Sequence, residues 1–313
     1  MLIKSIEAVL ILFILILLGW LLSRINWIKN DEKVFLNKII VKICIPALAV
    51  HNLFSSFSRE FINSSLKYLF VAFIFFIVMM IVVVIIVIIL KLDKSTMGSF
   101  AAMSIVSNSM FFGLPINLSL YGQESLQYIL CYFILNTIIF WSICAPMIKK
   151  EGNINSEDTL LSNLKNILNV PFITIIVSSI LIYNSVVLPS LVLKVSQHLS
   201  NLVTPLACIV IGKIIYDIDL KKFRMDSSML IVMIIRFIIS PLLMFSITRL
   251  LGLPIIVTKV FTIMAAMPIM MQVAIVTDMY GGDSEYVTSG IALTTLLTLL
   301  TTPVYSIIMD MIL

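Results

Sequence analysis

Apolar residues along this chain neither alternate nor gather on one helical face. They run on for stretches of about twenty residues, the length at which a helix crosses roughly 30 Å of hydrocarbon. Ten such stretches are bounded by polar clusters. In the first half they cover residues 5–23, 34–57, 67–90, 97–121 and 125–148, and in the second half 167–184, 195–216, 228–250, 254–280 and 286–309. Between the halves lies the only sizeable polar segment, 149–165, with Gly152, Asn153, Asn155, Ser156, Glu157 and Asp158. The pattern predicts an all-α polytopic membrane protein of ten transmembrane helices. Its first five-helix unit covers 1–148, a linker 149–166, and its second unit 167–313.

The halves also repeat. Pro46-Ala47-Leu48 in the second span and Pro205-Leu206-Ala207 in the seventh are 159 residues apart, as are Tyr121-Gly122-Gln123-Glu124 and Tyr280-Gly281-Gly282-Asp283. A shared register over two unrelated landmarks indicates a duplicated unit. Five spans per unit place the copies in opposite orientations, which makes an inverted repeat.

Composition excludes a soluble protein: 61% of residues are hydrophobic and 12% charged, with mean hydropathy +1.15. The net charge of +5 comes without a basic patch long enough to follow phosphates, so no nucleic-acid partner is expected. The excess sets orientation instead. With the N-terminus outside, twelve Lys and Arg fall in inside loops, six outside and three within spans. This places the linker in the cytoplasm and both termini outside a multi-pass cell membrane protein. The apolar run from Ala8 to Leu18 lacks a small-residue cleavage site after it and reads as a retained first span. Cys44, Cys131, Cys144 and Cys208 are scattered through apolar segments, so packing is their expected role, with neither a metal nor a cofactor.

Two spans look broken. The fourth contains Ser107-Asn108-Ser109-Met110-Phe111-Phe112-Gly113-Leu114-Pro115, where Pro115 lacks an amide hydrogen and Gly113 weakens the helix further. The ninth has Ala265-Ala266-Met267-Pro268 at the corresponding place. Irregular backbone at membrane depth survives only inside protein or beside a water-filled cavity. Paired breaks near the midplane present half-helix N-termini, which suit an anion.

The residues Asn108 to Pro115 have the N-x-x-x-x-G-x-P pattern of the fourth helix of the auxin efflux carrier family, which includes plant auxin exporters and bacterial malate or malonate permeases. Ile45-Pro46-Ala47-Leu48 resembles that family's second-helix proline motif, and Ala265 to Pro268 its ninth-helix crossover. Thr288-Ser289-Gly290-Ile291, with Thr302-Pro303, is similar to its last helix. The resemblance spans nearly the whole chain. It implies a scaffold part and a transport part built around crossed fourth and ninth helices, and a carboxylate anion as substrate. Asn108 would contact that substrate, with Ser107, Ser109, Pro268, Ile269 and Gln272 around it; Gly113, Pro115, Pro46 and Pro205 would shape the helices. Plant members have proline where Ser107 stands, and a carboxylate in the third span, which is uncharged here from Tyr68 to Leu90. Any role tied to that carboxylate does not transfer.

Arg236 and His51 are the candidate charge modulators. Arg236 lies about 12 Å into the eighth span, where it attracts the anion, pairs with a carboxylate such as Asp278, or snorkels to the headgroups. Lys38 and Lys42, near the start of the second span, read as snorkelling. The leading function is secondary transport of a small organic anion by alternating access, the partners being that anion and the bilayer, with a homodimer among the expected assemblies. A sodium-coupled symporter of the bile-acid type is the alternative. A membrane-embedded enzyme is less favoured, because the chain lacks G-x-S-x-G, HExxH and Asp-rich metal motifs and no catalytic residue is assigned. A receptor would not need paired breaks.

Overall fold

The computed structural model describes residues 2–56, 59–93, 95–151, 168–217 and 224–313. Residues 152–166 of the expected linker lie outside them. The described residues form α1 (Leu2–Arg24), α2 (Asn30–Phe54), α3 (Arg59–Leu90), α4 (Met97–Ile105), α5 (Leu114–Tyr121), α6 (Gln123–Glu151), α7 (Val170–Tyr183), α8 (Ser190–Tyr216), α9 (Ser227–Leu250), α10 (Ile255–Ala265), α11 (Gln272–Met279) and α12 (Ser284–Ile312). Six are long and apolar enough to cross a membrane: α2, α3 from Ser65, α6, α8, α9 and α12. Shorter apolar helices are α1 from Leu10, α7 and α10. The all-helical, multi-pass character read from the sequence is therefore observed.

Among the described residues four helical rods carry a π turn, and each turn ends two residues before a proline. Ile40–Cys44 precedes Pro46, Ser109–Gly113 precedes Pro115, Phe140–Cys144 precedes Pro146, and Ile235–Ile239 precedes Pro241. A proline gives no N–H to the carbonyl four residues back and crowds it. The backbone responds by widening one turn: Ile45, Leu114, Ala145 and Ser240 donate instead to the carbonyl five residues earlier. In α9 the carbonyl abandoned by Pro241 is that of Phe237, and the Tyr305 hydroxyl of α12 donates to it.

The helices pack as two groups. In one, α1 lies along α8 and α2 packs against α7 and α8. Close approach there needs glycine. A Cβ on Gly19 would meet the Ile209 carbonyl oxygen at 2.2 Å, and one on Gly212 would meet that of Ile16 at 2.1 Å, so backbone lies directly on backbone. The other group gathers α3 to α6 and α9 to α12 around a central crossing. In α6, 67% of the membrane-length window is buried, against 22% in α3, which puts α6 at the centre and α3 at the edge. The exposed Phe70, Phe73, Ile81, Ile85 and Ile88 of α3 suit a lipid-facing surface.

Both broken spans are held at their outer ends by the helix that follows them in the chain or its counterpart. At one end, Glu151 of α6 accepts the Ser99 N–H at 2.6 Å and its hydroxyl at 2.7 Å, capping the first turn of α4. A Cβ on Gly98 would meet the Met147 carbonyl oxygen at 2.5 Å, so that joint is tight. At the other end, Asp310 of α12 pairs with Lys259 of α10 at 2.5 Å. Glu151 and Asp310 are 159 residues apart. So are Gly122 and Gly281, which end α5 and follow α11 with φ of 68° and 69°, a left-handed conformation that favours glycine.

Candidate functional site

The fourth span breaks after Ile105: Val106 is extended, with φ −97° and ψ 146°, and Asn108 has φ −76° and ψ 69°. The break falls ahead of Gly113 and Pro115, which sit in the restarted helix, Pro115 in its first turn. The restart is marked by Asn108. Its side-chain oxygen accepts the Phe111 N–H at 3.3 Å, an N-cap arrangement. The ninth span breaks after Ala265 and resumes at Gln272, with Pro268 inside the break.

The two breaks meet. Ser107 and Ile269 form an antiparallel bridge, and the Asn108 N–H donates to the Pro268 carbonyl at 2.8 Å. At this depth every freed backbone group needs a partner. Asn136 of α6 supplies two: its Oδ1 accepts the Ser107 N–H at 3.0 Å and its Nδ2 donates to the Ser107 carbonyl at 2.9 Å. The side-chain amide thus stands in for a neighbouring strand. The Ser107 hydroxyl donates to Tyr132 Oη at 3.2 Å. On the ninth-span side, Thr294 Oγ1 of α12 accepts the Ile269 N–H at 3.2 Å. Gly113 lets α5 and α10 come together, since a Cβ there would meet Met264 Sδ at 2.6 Å.

Arg236 lies beneath the crossing, in the π turn of α9, with no exposed surface. Its guanidinium donates to the carbonyls of Ser104 (3.4 Å), Ala265 (3.1 Å) and Met267. The Ser240 hydroxyl also donates to Ala265, at 2.9 Å. Asp278, the acid considered as its partner, is exposed elsewhere and accepts the Ser284 hydroxyl at 3.1 Å. The Arg236–Asp278 pair therefore does not form, because the carbonyls of two helix ends lie nearer.

On the other side of the crossing is a cavity of about 170 Å³. Ser107, Asn108, Ser109 and Gln272 line it, together with Thr137 and Asn169. The Thr137 hydroxyl is buried without a protein partner. Apolar walls come from Met110, Phe111, Phe133, Trp141 and Met270. No charged side chain is among the described residues on the wall. Pro268 and Ile269 are buried behind it, and their part in the geometry is the backbone pairing. Pro46 and His51 belong to α2 and Pro205 to α8, away from the crossing; His51 Nδ1 is buried and unpartnered. Several wall or support residues, Asn136 and Thr137 together with Tyr132, Asn169 and Thr294, are not marked by the sequence motifs; Asn136 and Thr137 carry the clearest signal. Their signal was a polar pair inside the otherwise apolar run 129–141.

A family model described as membrane transport protein matches residues 4–306. The chain belongs to this family, that of the auxin efflux carriers. It is a membrane transporter. Two relatives align along almost the entire length. An uncharacterized transporter of Methanocaldococcus jannaschii is 25% identical over 94% of this chain and 95% of its own. Another, of Methanothermobacter thermautotrophicus, is 24% identical over 97% and 98%.

Proposed function

We propose that this transporter moves small organic carboxylate anions by alternating access, with the cavity at the crossing as its substrate site. The observation that carries the reading is the cavity wall. It joins the capped π turn that leads into α5 and the start of α11 with Asn108, Ser109, Thr137 and Gln272, all neutral and all able to donate hydrogen bonds. Each helix N-terminus contributes roughly half a positive charge, so the two together balance about one carboxylate. With no Lys or Arg on the described wall for a second, the site suits a monocarboxylate whose apolar body rests on Phe111, Phe133 and Trp141.

The architecture we assign is ten spans in two inverted repeats, 1–148 and 167–313, in the cell membrane, with the linker cytoplasmic and both termini outside. The matched Gly122 and Gly281, and Glu151 and Asp310 at one 159-residue offset, support the duplication. The group containing α1, α2, α7 and α8 is the scaffold, and the group around the crossing carries the substrate. The cavity reaches Asn169, at the linker-side start of α7, which in this orientation supports an inward-open state.

Uptake of labelled mono- and dicarboxylates into proteoliposomes is the test. The parent is expected to prefer monocarboxylates with an apolar body. Asn108→Ala should weaken binding about tenfold or more, by loss of a donor to a charged group, while costing only about 1 kcal/mol of stability as a lost cap. Undiminished binding and transport in that variant would remove Asn108 from the site. A parent that moves none of these anions would overturn the substrate class.

A further inference from the structure

The crossing has two electrical faces. The helices that enter it, α4 and α10, end there, and their last carbonyls carry roughly half a negative charge each. The helices that leave, α5 and α11, begin there and face the cavity. In broken-helix carriers generally, freed carbonyls and half-helix C-termini are where a coupling cation such as Na⁺ is coordinated. In this chain such carbonyls, those of Ser104, Ala265 and Met267, converge on the guanidinium of Arg236. One full positive charge thus meets two half charges of opposite sign. Among the described residues no carboxylate pairs with it, and its burial is complete.

We infer that Arg236 is a tethered cation, filling the carbonyl cage that a mobile coupling ion would otherwise occupy. Its place is fixed by three features. The π turn ahead of Pro241 sets its direction, Ser240 shares the Ala265 carbonyl, and Tyr305 holds the carbonyl of Phe237 beside it. Arg236 does not touch the cavity. It is a positioning residue that cancels the negative ends of the crossing and leaves the positive ends to the substrate. Anion preference then needs no bound Na⁺, and the carrier works without one.

The inference rests on the crossing being the transport site, but its test reads stability and needs no substrate. Purified protein is melted in NaCl and in choline chloride at equal ionic strength. The parent is expected to melt at the same temperature in both. Arg236→Gln, which empties the cage of charge, should melt lower in choline and regain about 2–4 °C in NaCl as Na⁺ takes the vacated carbonyls. Arg236→Lys, which keeps a charge there, should behave as the parent. A generic packing role would not produce a Na⁺ response confined to the neutral variant, nor rescue by lysine. Stabilisation of the parent by Na⁺ would overturn the inference, and so would a folded Arg236→Gln indifferent to Na⁺. If Arg236→Gln folds in neither salt, Arg236→Lys decides: folded and Na⁺-insensitive upholds the tethered cation, while loss of fold or a Na⁺ response refutes it. Failure here with carboxylate uptake intact leaves the proposed substrate site standing.

Discussion

The two breaks pair with each other, yet they are supported differently. The fourth-span break is held from α6 by one side-chain amide that satisfies both backbone groups of Ser107. It also turns three consecutive residues, Ser107 to Ser109, onto the cavity wall. The ninth-span break is held by charge and by two hydroxyls: Arg236 takes the carbonyls of Ala265 and Met267, Ser240 shares that of Ala265, and Thr294 takes the Ile269 N–H. Its Pro268 and Ile269 do not line the cavity, which Met270 and Gln272 do. The two breaks thus differ in what they do: the fourth-span break lines the cavity with three residues, and the ninth-span break ties the crossing to α9 and α12.

The sharpest way to break this comparison is Asn136→Leu. The buried Ser107 N–H loses its acceptor, at about 1–3 kcal/mol, and the Ser107 carbonyl keeps only the Ser109 N–H at 2.8 Å, so the variant should melt well below the parent and lose transport. A melt within 1 °C or so of the parent would show that Asn136 is not the support of the fourth-span break. Thr294→Val removes one acceptor, at 3.2 Å, where Asn136→Leu removes a shorter acceptor and a donor as well, so a smaller destabilisation is expected. A loss as large as that of Asn136→Leu would mean the ninth-span break depends on the hydroxyl more than on Arg236. The smallest effect on stability belongs to Thr137→Val, which deletes a buried hydroxyl that has no protein partner. Stability should stay within about 0.5 kcal/mol of the parent or rise. Substrate affinity should fall severalfold in titration of the purified protein, and unchanged affinity would take Thr137 off the binding wall.

The positions of both breaks were legible from the sequence because Gly113, Pro115 and Pro268 are exceptional in an apolar run. What they do locally was less so. Pro115 reads as the cause of the fourth-span break, yet it lies eight residues beyond Ser107, where it widens a turn of the helix that has already restarted after Asn108. Asn108 stands out through the N-x-x-x-x-G-x-P pattern, as the substrate contact that the resemblance implies; its role as the cap of the restarted helix comes from the structure. Asn136 was hidden by distance: its partner is 29 residues away and is backbone, which carries no sequence signature. The same holds for Arg236. Its depth is evident in the sequence, but its partners, the carbonyls of Ser104, Ala265 and Met267, are backbone groups that no side-chain pattern marks, rather than the anion, the headgroups or a carboxylate such as Asp278. Glu151 read as part of a polar linker and proved to be the last residue of α6, buried against Ser99.

The π turns carry a consequence for how this chain tolerates insertion and deletion. A π turn stores one residue more than the α-helical turn it replaces, so beyond it each side chain is offset by about 100° from where an uninterrupted helix would put it. The prolines at 46, 115, 146 and 241 thus act as register keys: the length of each rod and the face it presents are set together. Removing one residue from Ile235–Ile239 while replacing Pro241 would leave a continuous α-helix whose distal half keeps its packing face, whereas replacing the proline alone or removing the residue alone would rotate that half against α10 and α3. In these four rods, a substitution and a one-residue deletion compensate each other, and relatives lacking one of the prolines should be one residue shorter at that place.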